Sequence, residues 1–361
     1  MALCLARSLL DCNGFDERDQ MDRYVRWLHH GYLSSTGKCF DIGNTTRGAL
    51  SRFEASGDPW AGSTKPKEAG NGSLMRLAPI PLFYATDAAA AVARADSSRT
   101  THAAPEAVDA CRLFASQLVA ALAGATKEEI LFGRHEGIEG KLSPKIQAIA
   151  DGAFGGKDEK DIRGSGYVAS SLEAALWCFH RTECFRDAVL TAANLGDDAD
   201  TTAAIVGQIA GAYYGESGIP ETWRGRVYWG ARIAALGEAL GRSGTHAPAP
   251  FDRGYWASPG LLLAGPYPLE KNTTDAARKV RALLDAGVRT FVNLMETREV
   301  DHDRELFAPY DAMAKEEGRR RGVDVVCHRF PIVDVSVPTA ELMSRIQSTI
   351  DESIAAGRPV Y

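Results

Sequence analysis

Leu195 to Thr202 reads LGDDADTT and leads directly into a helix-forming run of small residues. Asp198, Asp200 and Thr201 stand at i, i+2 and i+3, so a tight loop and a first helical turn can aim two carboxylates and a hydroxyl at one point. Hard oxygens gathered this way suit Mg2+, Mn2+ or Ca2+. The same residue types also cap helices, because acids there meet unpaired N–H groups and the positive end of the dipole. Spacing alone leaves both readings open. Asp197 is expected to be the cap or an outer support.

Three further segments could contribute chemistry. Gly70-Asn71-Gly72-Ser73 is a turn by composition, and its glycines also permit close backbone approach to a ligand, with N–H groups offered to an anion. Gly164-Ser165-Gly166-Tyr167 precedes the helical run LEAALWCF, and its tyrosine suits either stacking on a base or ribose or a place in the core. His102, in SSRTTHAAPEA, reads as a cap-region residue or a ligand contact. His29-His30 close a helix and face its negative end.

The elements that must position these residues are helices. Leu5, Leu9 and Cys12 share a face, as do Met21, Tyr24, Val25 and Leu28 before the stop at Gly31. Cys111, Phe114, Leu118 and Leu122 mark a helix ending at Gly124; Leu172, Ala175, Leu176 and Phe179 mark another. Phe185, Ala188, Val189 and Ala192 mark a third, closed by Gly196. No β alternation precedes residue 255, so residues 1–241 are expected to form an all-α domain. RSGTHAPAPFDRGYWASPG, with its prolines and glycines, predicts a linker over 242–259. Residues 260–361 then alternate β-rich runs (288–294 and 323–332) with helical ones (275–284 and 341–355), which predicts a parallel or mixed α/β sheet. No uncapped start such as Ala2, and no end such as RPVY, a strand just begun, is expected at a natural domain border; both ends read as cut.

Composition narrows the function classes. The 361 residues are 45% hydrophobic and 24% charged, as in folded globular chains. Forty-seven acids against 41 bases give a net charge of −6, so no basic field recommends nucleic acid as a partner. The longest apolar stretch, Ala203 to Tyr214, is too short for a bilayer and is broken by Gln208, so no membrane role is expected. The N-terminus lacks the basic region and cleavage site of a signal peptide. Seven cysteines without a CxxC pair predict reduced core thiols and a cytoplasmic protein.

Taken together, AGNGSLMRLAPI (69–80), SSRTTHAAPEAVDAC (97–111), GSGYVASSLEAALWCF (164–179) and NLGDDADTTAAIVGQIAGAYYG (194–215) resemble the ADP-ribosylglycohydrolase family, particularly its dinitrogenase reductase-activating glycohydrolase branch. The resemblance implies an all-α fold with a two-metal centre of Mg2+ or Mn2+ that hydrolyses the bond between ADP-ribose and a protein side chain. ADP-ribosylated protein and ADP-ribose are the implied partners. It makes Asp198, Asp200 and Thr201 metal ligands, with Asp198 and Asp200 catalytic, and sets Gly70, Asn71, Gly72, Ser73, His102, Gly166 and Tyr167 around the ADP-ribose. Such chemistry needs no Cys or Ser nucleophile, since cleavage at the anomeric carbon passes through an oxocarbenium-like state that metals and an oriented water can serve. The family's other ligands lie in a Thr-Asp-Asp-Thr motif ahead of a Met-Ala-Leu-like helix. This chain begins Met1-Ala2-Leu3, so half the ligands and impaired turnover are implied. An ADP-ribose-binding module without turnover is the alternative.

GLLLAGPYPLE, GVRTFVNL and FPIVDVSVPT resemble the front of a dual-specificity-type protein phosphatase domain over 260–361. Asp334 matches its general-acid loop. The Cys-x5-Arg motif that carries the nucleophile is absent, and no arginine stands six positions after Cys327, so a catalytically dead domain is expected. Phosphatase activity in a complete C-terminal domain is a further alternative.

Overall fold

The computed structural model describes residues 1–243, 254–258, 260–268, 273–296, 309–333 and 336–361. They divide into two compact units, 1–245 and 246–361.

The first unit is helical. It opens with α1 (Ala2–Asp11), α2 (Glu17–His30) and α3 (Asn44–Ser56), followed by the short α4 (Pro79–Phe83) and α5 (Ala88–Arg94). Next come α6 (Pro105–Leu122), α7 (Lys127–Phe132), α8 (Pro144–Ala150), α9 (Val168–Arg181) and α10 (Phe185–Asn194). The unit closes with α11 (Ala199–Tyr214), α12 (Glu221–Arg224) and α13 (Gly230–Ser243). α6 is its centre. Pro105 starts it at the one position where a missing N–H costs nothing, and Ala107, Ala110 and Ala115 let α5, α9 and α11 approach closely. Phe114 and Leu118 on α6 meet Leu172 and Phe179 of α9 and Ile205 and Ile209 of α11 in the main core. A second core joins α1, α2 and α3 through Cys4, Met21, Tyr24, Leu50 and Phe53. α1 and α13, far apart in sequence, pack against each other, and α4 touches both.

The second unit is mixed α/β. β1 (Tyr255–Ser258) pairs antiparallel with β2 (Leu262–Ala264), and β3 (Thr290–Asn293) pairs parallel with β4 (Val326–Arg329). Val360 bridges both Leu262 and Thr290 in parallel, so the RPVY segment lies between β2 and β3. α14 (Thr273–Asp285), α15 (Asp311–Arg320) and α16 (Ala340–Ala355) complete the unit. Its core gathers Trp256, Leu263, Val280, Leu284, Phe291 and Tyr310.

Two expectations change, and a third falls on residues that are not described. α13 runs to Ser243 and β1 covers 255–258, so both ends of the expected 242–259 linker belong to regular structure. The reason is Trp256, whose burial with Leu263 outweighs the surrounding prolines and glycines. All seven cysteines are free thiols, but only Cys4, Cys111 and Cys178 are buried; Cys12 is exposed at the end of α1. Asp334, the general-acid candidate, lies outside the described residues. Among the described residues no helix is long and apolar enough to cross a membrane.

Candidate active site

A cleft of about 710 Å3 opens in the first unit, and the N-terminus of α11 stands in its wall. It is lined by Gly70, Asn71 and Gly72 of the glycine turn, by His102 and Gly166, and by Asp198, Asp200 and Thr201. Segments spread over more than a hundred residues thus meet in one cavity.

Their meeting is enforced by backbone. Asn71 N–H donates to Gly166 O at 3.1 Å and Val168 N–H to Ala69 O at 3.0 Å, a short strand-like clasp between two glycine-rich turns. Asp198 N–H donates to Gly164 O at 2.7 Å, tying the start of α11 to the same turn. Glycine is required at 164, where a Cβ would stand 2.7 Å from Thr202 Oγ1, and at 72, where it would stand 2.9 Å from His102 Cε1.

Asp198 occupies the N-cap position of α11, yet its side chain caps nothing. Its Oδ2 instead accepts from Asn71 Nδ2 at 2.7 Å, and the same amide reaches Ser171 Oγ at 2.8 Å. Asp200 is exposed and Thr201 is buried on the next helical positions; neither side chain has a hydrogen bond or ion pair among the described residues. Asp197 is exposed with a left-handed backbone (φ 51°) and is no cap. Asp198 is thus held by Asn71 instead of by the helix end, and Asp200, on the same turn, has no side-chain partner among the described residues. Two carboxylates and a hydroxyl on one turn are donor chemistry that suits a hard divalent ion. Among the described residues no group of three His, Cys, Asp or Glu side chains converges, so these three oxygens do not complete a six-coordinate shell.

Two N–H groups of the glycine turn are already spent within the protein. Gly70 N–H donates to Glu68 O at 2.8 Å and Asn71 N–H is spent on Gly166, while Gly72 O accepts from Arg76 Nη1 at 3.2 Å. Ser73 does not reach the cleft: it is 2% exposed, and its Oγ lies 2.8 Å from Ser98 Oγ and 3.5 Å from Cys111 Sγ. Tyr167 is also absent from the cleft lining. Its hydroxyl donates to Glu106 in a short hydrogen bond and accepts from Lys145 Nζ at 2.9 Å, while the ring packs on the main core. The extended backbone clasp explains this, since neighbouring side chains point to opposite faces and Gly166 takes the cleft side.

His102 is buried in the cleft wall, and burial together with the nearby Arg76 guanidinium pushes its pKa down to about 3. Its Nδ1 lies 2.8 Å from Thr101 Oγ1. Arg76, 3% exposed, donates through Nη2 to Thr101 Oγ1 at 2.7 Å and stacks over the Tyr24 ring 5.0 Å from its centroid. Sequence reasoning missed Arg76, and with it Thr45, Thr46 and the exposed Tyr228, which also line the cleft. Only Arg76 left a signal: an arginine inside the apolar run LMRLAPIP.

A sequence profile of the ADP-ribosylglycohydrolase family matches residues 1–249. The ADP-ribosylarginine hydrolase Tri1 of Pseudomonas putida (strain GB-1) is 44% identical over 241 residues, 66% of this chain and 64% of that protein. Tri1 of Serratia proteamaculans (strain 568) is 42% identical, over 66% of this chain and 65% of its own. ADP-ribosyl-[dinitrogen reductase] glycohydrolase of Rhodospirillum rubrum is 28% identical over 63% of this chain and 71% of its own. A solved structure, an ADP-ribosylglycohydrolase-related protein complex, superposes with a TM-score of 0.57 at 42% identity, covering 67% of this chain and 79% of that one. The chain thus spans slightly less than two thirds of the two Tri1 relatives.

Proposed function

The chain belongs to the ADP-ribosylglycohydrolase family, and on that premise we propose that its first unit hydrolyses the bond joining ADP-ribose to an arginine side chain of a modified protein. The observation that carries this reading is the meeting of Asp198, Asp200 and Thr201 with the glycine turn in one cleft, where Asn71 of that turn holds the Asp198 carboxylate away from a capping role. Identity to two ADP-ribosylarginine hydrolases favours arginine over other side chains.

In this reading Asp198, Asp200 and Thr201 hold Mg2+ or Mn2+, which supplies Lewis acidity at the ribose and at the attacking water. Asn71 holds the Asp198 carboxylate in one orientation, freeing its other oxygen for the cleft. Gly70, Gly72 and Gly166 keep the walls thin enough for a sugar to reach those oxygens. His102 stays neutral beside Arg76 and adds no charge that would repel the cation. Release of ADP-ribose from an arginine-modified protein, requiring Mg2+ and abolished by EDTA, is the expected result. Binding of ADP-ribose without release would make the unit a binding module instead.

Asn71→Ala should lower turnover roughly 10- to 100-fold, the usual range for losing a group that orients a metal ligand. Circular dichroism should show the helices intact. Unchanged turnover would reduce Asn71 to a turn residue.

We propose that the second unit belongs to the dual-specificity phosphatase type; its parallel β3–β4 pair, linked through α15, favours that reading. Cys327 lies within β4, and burial pushes its thiol up to about 11, far from a reactive thiolate. The chain should therefore not hydrolyse p-nitrophenyl phosphate, and vanadate-sensitive hydrolysis lost in Cys327→Ser would contradict this.

A further inference from the structure

We propose that Arg76 and Thr101 are positioning residues that hold His102 in its neutral Nε2–H tautomer, so that the ring offers the cleft a hydrogen-bond donor for a ligand oxygen. The ligand half of this inference rests on the cleft being an ADP-ribose site; the tautomer does not.

The argument follows the protons. A guanidinium has donors only. Arg76 donates to Thr101 Oγ1 at 2.7 Å and so occupies one lone pair of that hydroxyl. Thr101 is 0% exposed, and its other partner is His102 Nδ1 at 2.8 Å. Were Nδ1 protonated, Thr101 would accept twice and its own proton would be buried without an acceptor, which is unfavourable. The hydroxyl therefore donates to Nδ1, and the ring proton sits on Nε2. The imidazolium is disfavoured too, since it would be a second buried cation beside Arg76.

The surroundings keep the ring in place. His102 N–H and Ala103 N–H donate to Ser98 O and Ser63 O, and Ser98 Oγ donates to His102 O. Nε2 lies over the glycine turn, where a Cβ on Gly72 would stand 3.1 Å away and one on Gly70 3.4 Å away. It has no hydrogen-bond partner among the described residues, although the ring is 2% exposed and lines the cleft. A donor so placed suits a phosphate or hydroxyl oxygen. Because the nitrogen facing the cleft already carries the proton, His102 cannot act there as a base.

The test uses the full chain labelled with 15N-histidine, with His102→Gln assigning the resonance. At pH 7 without ligand, His102 should show a protonated Nε2 and an unprotonated Nδ1. Thr101→Val, which keeps the shape and removes the hydroxyl, should convert the ring at least partly to the Nδ1–H tautomer. It should also weaken ADP-ribose binding in Mg2+ by roughly 5- to 20-fold, the range for one lost hydrogen bond. Thr101→Ser should restore both. His102→Gln places an amide N–H near the Nε2 position, so adding Thr101→Val to it should cost little further affinity. An Nδ1–H or imidazolium signal in the wild-type chain overturns the relay, as does a Thr101→Val protein with unchanged tautomer. A double variant weakened as much by Thr101→Val as the wild type is overturns the ligand half. Failure of the wild-type chain to bind ADP-ribose overturns the functional reading and the ligand half together, whereas the tautomer is read without ligand and stands or falls alone.

Discussion

Asp200→Ala is expected to reduce Mg2+-dependent release of ADP-ribose by more than about 100-fold and to leave the fold intact. Losing a group that merely orients a metal ligand typically costs 10–100-fold, and Asp200 is proposed as a ligand itself. Its side chain is exposed and has no structural partner among the described residues, so little stability depends on it. The one structural loss is an acid in the first turn of α11, worth roughly 0.3–1 kcal/mol. Isothermal titration with Mg2+ and an assay of ADP-ribose release check both halves. Full turnover with unchanged Mg2+ dependence would remove Asp200 from the site and leave it a helix-terminal acid.

Phe114→Ala should destabilise the first unit by about 3–5 kcal/mol. Phe114 is completely buried at the middle of α6, where α9 and α11 both press on it. Rigid helices on every side cannot collapse into the space left, so the cavity penalty adds to the lost transfer energy. Urea unfolding followed by helical circular dichroism should show an earlier transition with a similar slope. A loss below about 1 kcal/mol would mean that the core around α6 is plastic.

The helices were legible because each carries its own signal. The period through Cys111, Phe114 and Leu118 fixes α6 by itself, and Gly31 and Gly124, with φ of 61° and 83°, stand where the stops were expected. The acidic cluster was legible as a set of oxygens, but not as to its role. Whether Asp198 caps α11 is decided by Asn71, 127 residues away, and no local pattern shows that amide. Ser73 and Tyr167 sit beside cleft residues in sequence and turn away from the cleft in space, Tyr167 by one position along an extended backbone and Ser73 within a turn. Arg76 was hidden for a related reason. Its burial is tolerated only because Gly72 O, Thr101 Oγ1 and the Tyr24 ring converge on it, and these come from three separate segments. In the second unit, Tyr255 to Ser258 carries no apolar–polar alternation and stands among Pro and Gly, so it did not read as a strand, although its partner Leu262 to Ala264 lies only a few residues on.

The packing of α1 against α13 bears on how the chain is made. A ribosome delivers α1 more than two hundred residues before α13, which at usual rates of about 5–20 residues per second is roughly 10–50 s. During that interval α2 and α4 can cover part of α1, but the face meant for α13 has no permanent cover. α1 is therefore made long before the helix that seals it. Substitutions that lower the affinity of α1 for α13 should depress the yield of folded protein in cells more than they depress its equilibrium stability.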